Sequence, residues 1–107
     1  MPVSNKPRKR YIALHYTADE PFTVQALNQA LRNEAEKYGL YVSLVVERFD
    51  AKNRNCLIKT GHKDALKVRA FINAQQTLNN KQITIRTLGT SGTIKGAMRY
   101  LTKPNQN

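Results

Sequence analysis

Acidic residues are missing from both ends of this 107-residue chain. All seven (Asp19, Glu20, Glu34, Glu36, Glu47, Asp50 and Asp64) lie in the middle. Lys6, Arg8, Lys9 and Arg10 precede them, and Lys67, Arg69, Lys81, Arg86, Lys95, Arg99 and Lys103 follow. An ordinary solvated surface mixes the signs, so this asymmetry points to an electrostatic binding face rather than to solubility alone. The surplus is large: 18 Lys and Arg give a formal charge of +11. Charge of one sign repels itself in the compact state and concentrates polyanions around it. Nucleic acid stands ahead of an anionic membrane or an acidic protein as that polyanion.

Cysteine is nearly absent. Cys56 stands alone, which excludes an intramolecular disulfide and offers no metal-ligand spacing. In an apolar segment it reads as a small core residue. No apolar run approaches the roughly 20 residues that cross a bilayer, and no h-region follows the basic N-terminus. The expectation is a soluble, cytoplasmic protein with no membrane partner. Its length fits one domain with one core.

What is present alternates between strand and helix patterns. Residues 1–7 read as a mobile arm, residues 8–101 as one domain and residues 102–107 as a tail. Arg10 to Tyr16 suits a first strand, and Thr17 to Pro21 a turn. Thr23 caps a helix, with Phe22 as a staple on Leu27. Val24, Leu27, Leu31, Ala35 and Tyr38 form its apolar stripe, and Gly39 ends it. A second strand is expected over Tyr41 to Asp50, a hairpin connection at Ala51 to Asn53, and a third strand over Arg54 to Thr60. Asp64 is expected to cap a second helix carrying Ala65, Val68, Phe71, Ile72 and Leu78 on one side, closed by Asn79 and Asn80. Lys81 to Leu88 alternates as a fourth strand, and a short helix runs from about Gly92 to Leu101, stopped by Pro104. This order predicts an α+β fold of ferredoxin-like or RRM-like type. It is a βαββαβ antiparallel sheet with the two main helices on one face, plus a C-terminal helix.

Catalytic groupings are also scarce. His15 and His62 are far apart in sequence, and His15 reads as an ordinary strand residue. Asp50 and Asp64 belong to a turn and a helix start, so no cluster of carboxylates for metal-dependent hydrolysis is apparent. An acylphosphatase-like enzyme would need a glycine-rich anion cradle after the first strand. The Thr17-Ala18-Asp19-Glu20-Pro21 loop has two acids and no glycine instead. RRM domains stack bases on aromatics of the first and third strands. The third strand here has none, and Tyr11 and Tyr16 fall on opposite faces. Recognition through phosphate and shape fits better.

The C-terminal segment carries the most information. Ser91 is a natural cap, and the amides of Gly92 and Thr93 would point out of the helix start. Such a start can bind an anion or be capped in the ordinary way. Ile94, Ala97, Met98 and Leu101 make a core stripe, while Lys95 and Arg99, four apart, share another face. The residues expected to touch RNA are Arg8, Lys9, Arg10, Arg86, Lys95 and Arg99, supported by Ser91, Gly92 and Thr93.

The run Ile85-Arg86-Thr87-Leu88-Gly89-Thr90-Ser91-Gly92-Thr93-Ile94-Lys95 resembles the closing signature of the ribonuclease P protein component 2 family. That family is the archaeal relative of a eukaryotic ribonuclease P and MRP subunit. The opening Lys9-Arg10-Tyr11-Ile12 resembles the family's start, and the element pattern agrees from about Arg8 to Leu101. The ending of the first helix, Glu36-Lys37-Tyr38-Gly39, departs from the Phe-Gly ending frequent in relatives. The resemblance implies an RRM-like subunit with no catalytic site and no bound cofactor of its own. It would pair with the TIM-barrel-shaped component 3, with self-association also plausible. The ribonuclease P RNA, using Mg²⁺, would remove 5′ leaders from precursor tRNA. The protein would neutralise phosphates and hold that RNA in its active shape.

Two other functions fit the charge pattern. A general structured-RNA-binding or ribosomal protein would not distinguish ribonuclease P RNA from unrelated folded RNA. A protein-interaction scaffold would hold a protein partner at high salt and bind RNA weakly. If about six phosphates are engaged, RNA affinity measured by filter binding drops on the order of 10³-fold between 50 and 200 mM salt. A flat response would rule out the electrostatic face.

Overall fold

The computed structural model describes residues 8–102, so the expected arm (1–7), Lys103 and Pro104 lie outside the described residues. Five strands and three helices follow in the order β1 (Lys9–Ala18), α1 (Val24–Lys37), β2 (Val45–Asp50), β3 (Asn55–Gly61), α2 (Ala65–Asn73), β4 (Thr77–Leu78), β5 (Lys81–Ser91) and α3 (Ile94–Thr102). The sheet is antiparallel throughout, in the spatial order β2-β3-β1-β5-β4. The expected βαββαβ architecture is therefore present, with β4 as an addition. The α3 helix also runs on to Thr102, inside the stretch read as tail.

Strand β1 sits between β3 and β5, and its side chains divide the molecule. Ile12, Leu14 and Tyr16 enter the main core with Leu27 and Leu31 of α1, Ile58 of β3, and Val68 and Ile72 of α2. Ala13 points the other way and packs with Leu57 and Ala97 beneath α3. The two main helices thus share one face, and α3 covers part of the opposite one. Tyr16 is buried against Phe22 (edge-on, 6.3 Å) and Phe49 (stacked, 6.3 Å), and burial pushes its hydroxyl pKa up. Cys56 is fully buried, and desolvation alone raises its thiol to about 12. It is a core residue.

Several boundaries differ from the sequence reading. Residues 41–44 are not strand: β2 starts at Val45, where its pairing with β3 begins opposite Lys59. Arg54 has φ +56° and belongs to the turn, which moves the start of β3 to Asn55. In that turn the Asp50 carboxylate accepts from the Asn53 backbone N–H (3.0 Å) and Nδ2 (2.8 Å). The backbone bond from Asn53 is the first cause holding Asp50 below the usual carboxylate range. Tyr38 caps the C-terminus of α1 and is 69% exposed rather than part of the stripe. Thr23 caps α1 as expected, its Oγ1 accepting from the Ala26 amide at 3.1 Å, and Gly39 takes φ +74°.

The second helix departs most. Asp64 already has helical dihedrals (φ −101°, ψ −1°) and makes no capping bond, because a 3₁₀ turn over His62–Asp64 leads into α2. An N-cap needs extended dihedrals to aim its oxygen at the next amides. The helix stops at Asn73 rather than reaching Leu78. Asn79 (φ +57°) and Asn80 (φ +64°) form a two-residue left-handed turn joining β4 to β5. This is the type I′ geometry that matches strand twist, and it buries Leu78 from a hairpin. Asn73 then covers the β5 edge: its Oδ1 accepts from the Thr87 amide (3.1 Å) and its Nδ2 donates to Thr87 Oγ1 (2.9 Å). The Ile83 amide beside it donates to the Gln76 carbonyl (3.0 Å). Covered this way, the edge offers less to a foreign strand.

Gly89 permits the closest approach in the α3 layer. A Cβ there would meet the Tyr100 ring. Gly89→Ala is expected to destabilise the fold by about 2 kcal/mol through overpacking, measured by urea denaturation. Adding Tyr100→Ala should recover part of that loss.

Candidate nucleic-acid interface

The end of the sheet where β1 begins is also where β3 and β5 finish. Lys9 pairs with Gly61, and Tyr11 with Ser91. The His62 amide donates to the Arg8 carbonyl at 2.8 Å, fixing Arg8 beside the start of the 3₁₀ turn. This register gathers Arg8, Lys9 and Arg10 next to Ser91, Gly92 and Thr93, with Lys95 on the first turn of α3. Arg8, Lys9 and Lys95 are exposed and Arg10 is half-buried. The Arg10 guanidinium donates to the Lys9 carbonyl (3.1 Å). It also lies against Gly92, where a Cβ would be 3.2 Å from Nη1. Arg99 lines a recess of about 380 Å³ with Thr90, Ser91, Gly96 and Tyr100.

The helix start is capped by Thr93, not by Ser91. Thr93 Oγ1 accepts from the Gly96 amide at 3.0 Å, and Ser91 Oγ accepts from the Thr93 amide at 3.3 Å. Gly96 allows this, since a Cβ on it would strike the Ser91 hydroxyl. The Thr93 amide therefore has a partner. Ile94 and Lys95, as first-turn residues, have no intrahelical acceptor for theirs.

Arg86 stands apart. It lies opposite His15 on β5, five residues before Ser91, or roughly 15 Å along the strand. Of the nine expected contact residues, eight converge on one end and Arg86 does not. Arg69 belongs near the same region and escaped the sequence reading. From α2 it donates through Nε to Thr87 Oγ1 and through Nη1 to Thr90 Oγ1, both at 3.0 Å. Its place in the acid-free stretch was visible; its contact across to β5 was not.

Carboxylates are mostly paired or remote. Glu20 lies 3.5 Å from Lys81, Glu47 3.6 Å from Lys59, and Glu34 3.8 Å from Lys37. Asp19, Glu20 and Asp50 sit at the opposite end of the sheet, and Asp64 is the carboxylate closest along the chain to the Arg8 contact. Among the described residues no group of three or more His, Cys, Asp or Glu could hold a metal ion. No described helix is long and apolar enough to cross a membrane. Tyr11 and Tyr16 occupy opposite faces as expected, and α3 with its packed neighbours occupies Tyr11's side.

The profile of the Rpp14/Pop5 family matches residues 10–102. The chain belongs to this family. Its relatives include ribonuclease P protein component 2 of Thermococcus gammatolerans and of Pyrococcus horikoshii, each 26% identical over 104 residues. Each alignment spans 92% of this chain and 87% of the relative. A chain in the cryo-EM structure of yeast ribonuclease MRP shares the fold with a TM-score of 0.60 at 17% identity, covering 85% of this chain and 79% of that one. The β5–α3 segment that carries the resemblance thus lies within the matched region of an Rpp14/Pop5 protein, and its part over residues 91–95 is at the basic end of the sheet.

Removal of the α3 cap tests the local geometry. Thr93→Ala should cost about 1 kcal/mol, read as a lowered melting temperature, with Ser91→Ala costing less.

Proposed function

We propose that this Rpp14/Pop5 protein is a subunit of ribonuclease P that supports 5′-leader removal from precursor tRNA without a catalytic site of its own. The observation carrying this reading is the convergence of Arg8, Lys9, Arg10, Lys95 and Arg99 around the α3 start, in a family whose relatives are named ribonuclease P component 2. Cations on rigid elements position a polyanion while carrying no sequence information of their own. Lys9 and Arg10 are held in β1, and Lys95 and Arg99 ride on a helix packed onto the sheet. Their backbone spacing is set before RNA arrives, so the ordering cost that remains is that of the exposed side chains.

In this reading the ribonuclease P RNA, with Mg²⁺, performs phosphodiester hydrolysis in the cytoplasm. The protein's residues neutralise phosphates that would otherwise repel one another when the RNA folds. Arg10 against Gly92 and the first-turn amides of α3 present donors at one point, suited to a single phosphate. Lys95 and Arg99 extend the contact along the helix, and Arg86 marks a second, separate contact. Component 3 is the protein partner of this assignment, and self-association is a further expectation.

The deciding experiment is precursor-tRNA cleavage at limiting Mg²⁺ by the cognate RNA and component 3, with and without this chain. The expected result is a clear rate gain that is lost when Lys95→Ala and Arg99→Ala are combined in a folded variant. No gain with a competent RNA and partner would sink the assignment.

A further inference from the structure

The α3 helix covers only part of its sheet face. It sits on Ala13 and Leu57, with Tyr11 and Leu88 packed at its side. Beyond it the register lines up Asn55, His15 and Arg86 across β3, β1 and β5, followed by Thr17 opposite Thr84. His15, Arg86, Thr17, Thr84 and Gln82 are all exposed. A bare sheet face in a small domain is usually solvated by mixed charges. This one instead carries an imidazole, a guanidinium, hydroxyls and amides. Asp50, which closes the row on β2, has its carboxylate occupied by Asn53.

The strip runs directly into a recess of about 580 Å³, and Thr17, Gln82 and Thr84 belong to both. Asn73 and Gln75 form part of its wall with their amides already engaged, by Thr87 and by the Phe71 carbonyl. Gln76 and Gln82 are exposed, so their amides remain within reach of an incoming group. Asp19 at the lip adds an acceptor that suits an exocyclic amine. Amide and hydroxyl groups of this kind match the donor and acceptor edge of a nucleobase. Imidazole and guanidinium planes stack on its face. His15 and Thr17 are two residues apart on one face, about 7 Å, which allows one base on His15 and the next in the recess. A duplex keeps its Watson–Crick edges paired and its base faces stacked, so it has neither to offer such a site.

We infer that the uncovered part of this sheet binds an unpaired RNA segment, one base stacked on His15 beside Arg86 and its neighbour seated against Gln76, Gln82 and the Thr17–Thr84 pair. This rests on the RNA-binding reading above and adds to it a second, single-strand-selective subsite. The phosphate-binding end engages backbone, and the strip engages bases.

The test uses the full chain with fluorescein-labelled hexaribonucleotides of each base and a blunt-ended RNA duplex, followed by anisotropy. His15→Ala should weaken hexamer binding about fivefold or more, while duplex binding stays within about twofold. His15→Phe should restore the hexamer affinity, because a ring and not a charge is needed. Gln76→Ala with Gln82→Ala should compress the differences among the four hexamers. Hexamer binding indifferent to His15→Ala, with duplex binding still lost in Lys95→Ala/Arg99→Ala, overturns the subsite and leaves the proposed function standing. Failure of the wild-type chain to bind the hexamers overturns the subsite, and failure to support precursor-tRNA cleavage overturns the proposed function separately.

Discussion

The pairing of β1 with both β3 and β5 is the constraint on which the rest of the molecule depends. It threads an N-terminal basic run between two strands distant in sequence. Because β1 lies antiparallel to β5, Tyr11 comes opposite Ser91, and the first basic cluster meets the start of the last helix. Neither cluster alone is a binding site of any specificity. Together, on rigid backbone, they form a concentrated patch of donors at one end of the sheet. The bulge between Ala13 and Leu14 sets the remaining register along β5.

The second determinant is α3. Its Ala97 on Ala13 and Leu57 closes a small apolar layer on the face opposite the main core. Small residues at this contact, with Gly89 under the Tyr100 ring, bring the helix close to the sheet. This arrangement removes the part of the sheet that an RRM would use for stacking and gives it over to packing. The cations of α3 are carried above it. The placement of the α3 cations and the partial occlusion of the sheet therefore have one cause, the apolar stripe of a nine-residue helix.

Electrostatics divides along the same axis. Asp19, Glu20 and Asp50 lie at one end of the sheet, where Glu20 meets Lys81 and Asp50 holds a turn. The other end gathers Arg8, Lys9 and Arg10 with the start of α3. Exposed pairs such as Glu34 with Lys37 contribute little to stability. Glu47 reaches the basic end already paired, since its partner Lys59 lies in the row of Tyr11 and Ser91.

Local signals were enough for much of this. The Thr23 cap, Gly39 terminator, alternation of Lys81 to Arg86 and the stripe of Ile94, Ala97, Met98 and Leu101 each depend on contacts within a few residues or on strict periodicity. The charge asymmetry was likewise plain in the chain, as was the Leu88 to Ile94 signature. Other features depended on partners far away. Asn79-Asn80 closes a hairpin rather than a helix because both residues take left-handed dihedrals that complete a pairing between Leu78 and Lys81. Tyr41 is exposed and lies outside the β2–β3 pairing, which begins at Val45. Arg69 reaches β5, Arg86 is separated from the basic end, and His15 faces open sheet. Residue types and periods were properties of the sequence by itself. Which cations meet, and which face stays uncovered, only tertiary structure decided, because strand register and helix docking are set by contacts that no local window contains.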